Sequence, residues 1–362
     1  MPTKRLTESA NLDHLKHQAK DLLRDFRAGE KHAYQRLREF HPKLVDITDS
    51  EMSSQTFSLS DAQLSIAREY GYASWPRLKT VLAEKQHKEL QLSHNDRLPD
   101  GPFKQALDFM DDGDEARLVR HLEQYPALIH QTAQFEGGNY FSNPTLLEFL
   151  PENPFRNEVM PKNAVRIAEI LLEAGAKRNQ TALNETVGLA ASGRICRECG
   201  VQAELIKLLC RYGADPATAM HSALAHLEFE AARELLECGA PLTLTAAATL
   251  GDAEAVARLL KDGQSVDLQL ALSLSANAGR SKIVSDLLAA GANPDQYNPP
   301  GGHSHCTPLH SAVASDQFDT VVALVEGNAD LSIEDIHNGA TALDWAVYMR
   351  RSAIAAFLRS QA

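Results

Sequence analysis

Apolar side chains recur along this chain at intervals of three and four, the spacing that gathers them on one face of an α-helix. Leu12, Leu15, Ala19, Leu22 and Phe26 make such a face, with polar Ser9 and Asn11 ahead of it. Ala33, Leu37 and Phe40 mark a second helix, which His41-Pro42 should stop because the residue before a proline is pushed out of helical geometry. A third is expected to begin at Ser60, with Gln63 placed to close a capping box, and to run through Leu64, Ala67 and Tyr70 to Gly71. A fourth opens near Ser74-Trp75-Pro76 and carries Leu78 and Leu82. Together they predict a small helical bundle over residues 1–84. The polar, aperiodic stretch 85–101 (KQHKELQLSHNDRLPDG) is expected to be a linker.

From residue 102 to 362 the pattern becomes a repeat. Apolar helical runs end in glycine and a small residue, as in IAEILLEAGAKRN, LIKLLCRYGADP, AARELLECGAPL, AVARLLKDGQS, IVSDLLAAGANPD and VVALVEGNADL. The glycines concerned are Gly175, Gly213, Gly239, Gly263, Gly291 and Gly327, at spacings of 38, 26, 24, 28 and 36 residues. Each is expected to cap its helix in the left-handed conformation that glycine adopts without a Cβ penalty. A second short helix precedes each capped one, so that Ala246–Leu250 turns through Gly251-Asp252 into Ala253–Leu260. Paired helices of this size cannot bury an apolar face alone, and stacking them predicts a curved all-α solenoid of about seven or eight degenerate repeats. Asn153–Asn163 is expected to be an insertion within an early repeat.

Thr307-Pro308-Leu309-His310-Ser311-Ala312, followed by Val321 to Asp330, resembles an ankyrin repeat, and Gly339-Ala340-Thr341-Ala342-Leu343-Asp344-Trp345-Ala346 opens a second. Units of 24 to 28 residues leave no room for the full hairpin between repeats, so an ankyrin-type solenoid with clipped hairpins is expected. The chain as a whole resembles bacterial ankyrin-repeat proteins in which a short helical domain precedes clipped repeats. The matching stretches are AQLSIAREYGYASWPRLK (62–79), Arg197 to Gln202, and the loop from Asn298-Pro299 to His310. The resemblance implies a fold and brings no activity with it.

Charge narrows the choice of partner. Residues 1–90 hold 15 Lys and Arg against 13 Asp and Glu, whereas residues 91–362 hold 21 against 35, a net −14. A body so acidic repels phosphate backbones, and +2 over the first 90 residues is thin for a DNA-reading surface, so nucleic acid is not the expected partner. The stretch around Gly71 has a helix-turn-helix outline, with Arg77 and Lys79 on its second helix; Tyr72 and Trp75 are expected to plug a small core there. No run approaches the roughly 18 uninterrupted apolar residues of a membrane helix. Five scattered cysteines and no apolar leader in MPTKRLTESANLDHLKH point to mature sequence in the cytoplasm.

The densest chemistry lies in YNPPGGHSHCTPLHSA (297–312), where His303, His305, Cys306 and His310 fall within eight residues. His310 of the Thr-Pro-Leu-His motif is expected to serve the scaffold through its imidazole. In an extended loop His305 and Cys306 point to opposite sides. His303 and His305 alone fall short of the three or four ligands zinc prefers, so no metal and no cofactor is expected. The candidate binding residues are His303, His305 and Asn298, with Arg197 and Glu198. Cys196 and Cys199 form a Cys-x-x-Cys without the second pair that zinc would want. No nucleophile elbow, phosphate loop or His-Glu-x-x-His occurs, so no catalytic residue is assigned. The leading expectation is a protein-binding scaffold whose acidic concave face takes a partner with a basic surface. A small-ligand or enzymatic site around His303, His305 and the Arg197-Glu198 turn is the first alternative, and DNA-linked regulation through the N-terminal bundle the second.

Overall fold

Among the described residues five helices build the N-terminal part: α1 (Leu12–Arg27), α2 (Lys31–Phe40), α3 (Asp49–Ser53), α4 (Leu59–Glu69) and α5 (Trp75–Leu90). They belong to a computed structural model that describes residues 4, 12–45, 47–90, 95–135, 141, 143–154, 156–261 and 267–361. The periodic residues Leu15, Ala19, Leu22, Leu37, Ile66 and Leu78 are fully buried against one another, and Tyr72 and Trp75 pack on them half-buried. Arg77 and Lys79 are exposed. Helix α3 has no apolar period; it is held by a capping box between Thr48 and Glu51 and by Met52, which plugs the core. The box that starts α4 uses Ser58 and Asp61, two residues before the expected Ser60 and Gln63. The Asp61 carboxylate both reaches back to the Ser58 N–H and favours the positive end of the helix. Helix α5 runs to Leu90, well into the stretch expected as linker, because LAEKQHKEL contains good helix formers and neither glycine nor proline.

The chain divides between Arg97 and Leu98 into two units. Among the described residues the second is a stack of eight helix pairs. They are α6 (Pro102–Asp111) with α7 (Glu115–Gln124), and α8 (Leu146–Phe149) with α9 (Ala164–Ala174). In the third, α10 (Gln180–Ala191) is joined through a short α11 (Arg194–Glu198) to α12 (Gln202–Arg211). Then come α13 (Pro216–Ala225) with α14 (Phe229–Glu237), α15 (Leu244–Leu250) with α16 (Ala253–Lys261), and α17 (Leu268–Asn277) with α18 (Ser281–Ala289). The stack continues with α19 (Pro308–Ala314) and α20 (Phe318–Glu326), then α21 (Ala342–Tyr348) and α22 (Ser352–Gln361).

The first helices of the pairs pack in order, α6 on α8, α8 on α10, then α13, α15, α17, α19 and α21, as one layer. The second helices form the other layer, in which α7, α9, α12 and α14 meet in turn, as do α18, α20 and α22. Small residues allow the first layer its close approach: six of the seven residues of α15, Leu244 to Thr249 in LTAAATL, are buried. Among the described residues strand pairing is limited to two isolated bridges, Thr132 with Thr145 and Glu334 with Thr341. No described helix is long and apolar enough to cross a membrane.

Gly175, Gly213, Gly239 and Gly291 take positive φ at their helix ends, as expected. Gly327 does not: its φ is −80°, and the left-handed position passes to Asn328 at +63°. A Cβ on Gly327 would lie 2.4 Å from Leu288 Cδ1, so a close approach between repeats, and not turn geometry, explains that glycine. Gly263 lies outside the described residues. The expected insertion is a packed strap. Its Arg156 guanidinium is buried in bonds of 2.8 and 2.9 Å to Asp111 and pairs with Glu152 at 2.6 Å.

Candidate functional site

The loop between α18 and α19 is built from its ends inward. After Gly291, the backbone of Asn293 is gripped by the Gln269 side chain, which accepts from its N–H at 3.1 Å and donates to its carbonyl at 2.8 Å. Asp295 accepts from the Asp330 N–H at 2.7 Å, and the Tyr297 hydroxyl donates to Glu334 O at 2.6 Å, which ties the loop to the following hairpin. Asn298 closes the loop on itself by donating its N–H to Cys306 O at 2.9 Å. Its side chain is 2% exposed and donates to Ser311 Oγ at 2.9 Å. Asn298, expected among the binding residues, is therefore an internal clamp; its Oδ1 is buried with no hydrogen-bond partner.

The middle of the loop folds back over the first-helix layer. Gly301 O lies 3.0 Å from His221 Nε2 on α13, so that nitrogen donates, and Gly302 O accepts from Ser273 Oγ on α17 at 3.3 Å. His221 is 80 residues earlier in the sequence than Gly301. The loop thereby rests across the layer from α13 to α17.

His303 is exposed and takes a left-handed φ of +62°, while its carbonyl accepts from the Cys306 N–H at 3.1 Å. His305 is half-buried and stacks on His337 with ring centroids 4.8 Å apart at 23°. It meets His303 edge-on at 6.0 Å and Trp345 at 6.0 Å. Burial, then the neighbouring His337 and His303, push its imidazole below the ordinary value. Cys306 points the other way and is buried.

His310 serves the scaffold. Its Nε2 donates to Ala340 O at 3.1 Å, which leaves Nδ1 to accept from Thr307 Oγ1 at 2.9 Å. Burial holds it below its ordinary value, as this neutral tautomer requires. Beside it, Asp335 is buried and accepts from Trp345 Nε1 at 2.9 Å and from the backbone N–H groups of His337, Asn338 and Ala340. Burial alone would raise its pKa, but these donors outweigh it and hold the carboxyl at about 2.

His337, Trp345, Asp335 and His221 were not among the residues singled out from sequence. The first three could have been found from repeat register: Thr307 and Thr341 both cap first helices, so residues in the corresponding part of the next repeat, Asp335 to Trp345, lie beside His305. His221 gives no such signal.

Arg197 and Glu198 do not join this site. They sit on α11, in the turn between first and second helices, whereas the loop connects a second helix to the next first helix at the other end of the pairs. A ten-residue helix, ~15 Å, separates the two ends. Arg197 pairs with Glu228 and so joins neighbouring turns, while Glu198 accepts from Arg194 at 2.9 Å within α11 itself. This corrects the expectation of one site that combines them with His303 and His305. In the same turn Cys196 is buried, gives its S–H to Pro151 O at 3.3 Å and is pushed up to about 12 by burial, while Cys199 is exposed.

A second feature lies on the first-helix layer. Glu148 on α8 accepts from the N–H and hydroxyl of Thr145 at 2.7 Å each, and Glu185 of α10 stands beside its carboxyl. Burial, then the Glu185 carboxylate, raise Glu148 to about 7. Among the described residues no three His, Cys, Asp or Glu side chains are grouped to hold a metal ion.

Residues 244–335 and 272–362 match the family of ankyrin repeats, so the last four helix pairs and the loop between α18 and α19 lie within ankyrin repeats. No curated protein matches the chain.

Proposed function

We propose that the chain is a binding scaffold whose acidic first-helix face, the concave side of the expected solenoid, takes a protein partner through that partner's lysine and arginine side chains. Ankyrin repeats generally mediate protein–protein interactions, which supports a protein partner. The observation that carries the basic character is the Glu148–Glu185 pair. Two carboxyl groups from successive first helices stand beside each other, the Glu148 carboxyl raised to about 7 by burial and by Glu185, and an ammonium or guanidinium group would form charge-assisted pairs there. The groove open to such a partner is the part over α6, α8 and α10, since the loop covers the layer between α13 and α17. His303 and His337, exposed on either side of His305, present imidazole edges at the rim of the covered part.

A cytoplasmic setting belongs to this reading, and the five free cysteines agree with a reducing compartment. The N-terminal bundle supports DNA binding poorly. Its Arg36, Arg38 and Arg24 are spent on Glu69, Asp49 and Asp21.

The test is fluorescence anisotropy of a labelled lysine- and arginine-rich peptide titrated with the full chain. Binding should weaken at least tenfold between low and physiological salt, and again in the double variant Glu148→Gln with Glu185→Gln. Affinity indifferent to both changes would remove the acidic face from the proposal.

A further inference from the structure

Three second helices, α9, α12 and α14, line an open groove of about 630 Å³ that the acidic first-helix face does not share. Its lining carries both signs of charge. Lys207 and Arg211 stand one turn apart on α12, so they share a face of that helix at a spacing of about 6 Å along its axis. Glu204 and Glu237 are exposed, whereas Glu234 of α14 is only 9% exposed. One oxygen of Glu234 takes the Lys207 ammonium at 3.0 Å. The other, Oε1, is buried with no hydrogen-bond partner. A buried carboxylate oxygen without a donor is costly, and it draws any N–H or O–H that the groove admits. Arg211 is exposed, and among the described residues no carboxylate pairs with it, so its planar fork is open to a carboxylate from solution. The uncharged part of the wall is apolar: Val165 of α9 and the half-buried thiols of Cys210 and Cys238, which pack as small apolar groups.

We propose that this groove binds a free α-amino acid with an apolar side chain. The ligand's ammonium donates to Glu234 Oε1, and the Lys207 side chain, half in solvent, is the part that gives way to admit it. The ligand's carboxylate takes the Arg211 fork, one turn further along α12, while its side chain lies against Val165 and the two thiols. A ligand of one sign satisfies only half of the groove. A simple amine leaves Arg211 unpaired and stands beside two cations; a simple carboxylate leaves Glu234 Oε1 without a donor and meets three glutamates. A zwitterion supplies a donor and a carboxylate at the spacing of a single helical turn. The volume lies within the range of small-ligand sites.

The full-length chain is titrated calorimetrically with L-leucine, with L-leucinamide, which lacks the carboxylate, and with 4-methylpentanoate, which lacks the ammonium. Leucine should bind at millimolar concentrations or below, and the other two more weakly by roughly tenfold or more. The place of binding is read from the thiols. With leucine at saturation, alkylation of Cys238 by iodoacetamide, followed by peptide mapping, should slow severalfold, while that of exposed Cys199 stays unchanged. Arg211→Gln, at an exposed position, should keep the melting temperature and weaken leucine binding roughly tenfold. Absence of leucine binding to the native chain, or binding that leaves Cys238 unprotected, would overturn the proposal, and neither result needs a variant to fold. So would leucine affinity unchanged in Arg211→Gln, and leucinamide or 4-methylpentanoate bound as tightly as leucine would overturn the zwitterionic ligand.

Discussion

Gly301 and His221, 80 residues apart, meet so closely that a Cβ on Gly301 would lie 2.1 Å from the imidazole Nε2. The glycine also holds φ at +87°, so two separate demands exclude a side chain there. Gly301→Ala should cost ~1 kcal/mol from the backbone and more from the clash. In a His221→Ala background the steric part should vanish and leave only the backbone part. Urea unfolding of the four members of the cycle measures this; equal costs in both backgrounds would mean the loop does not rest on α13.

Glu148 should make stability depend on pH in an unusual direction. Its folded pKa, about 7, lies above the ordinary carboxylate value of 4.5, so its contribution is fully present below about 4.5 and is lost as pH rises through 7. The loss should be on the order of 1–2 kcal/mol, allowing for the solvent around exposed Glu185. Glu148→Gln should flatten denaturation midpoints across that window, and a slope unchanged in the variant would assign the titration elsewhere.

Asp335 titrates the other way. Held at about 2, below its ordinary 3.8, it stabilises the fold above pH 3.8 and loses that contribution as pH falls toward 2. Asp335→Asn would set an amide against the Trp345 and backbone donors and should cost ~2–3 kcal/mol. Tryptophan fluorescence during acid unfolding follows the site, since Trp345 donates to this carboxylate. A variant with wild-type acid stability would show that the Asp335 network contributes little.

The two loop histidines should separate. His303→Ala removes an exposed ring and should change stability by less than ~0.5 kcal/mol. His305→Ala removes the stack on His337 and the contact with Trp345, and should cost ~1 kcal/mol. Their combination should weaken partner binding at the rim beyond the sum expected from stability alone. Equal and negligible stability effects would mean that the stack on His337 contributes nothing.

Helix ends offer a contrast between glycines. Gly291, at φ +99° with open space around its missing Cβ, should lose ~1 kcal/mol on substitution by alanine, and more by valine, purely from backbone strain. At the next repeat Asn328→Gly should be neutral or stabilising, since Asn328 holds the left-handed position, while Gly327→Ala must push Leu288 aside. Thermal melts of the four variants give the ranking, and a destabilised Asn328→Gly would contradict it.

What the sequence determined by itself was local. Helix faces, proline stops and most glycine caps follow from bonds and clashes within a few residues, so Leu15, Leu22, Leu37 and Leu78 could be read as core from spacing alone. The scaffold role of His310 was equally legible, because Thr307 lies three residues away on the same turn. The stacking of pairs followed from their being too small to bury their own apolar faces. Tertiary structure decided the rest: that Asn298 turns inward, that His305 stacks on His337, and that Arg197 belongs to the opposite end of the pairs. Each depends on where one repeat sits against another or on how a loop crosses several of them. Those relations arise from the register and small residues of the whole stack, and no window of neighbouring residues contains them.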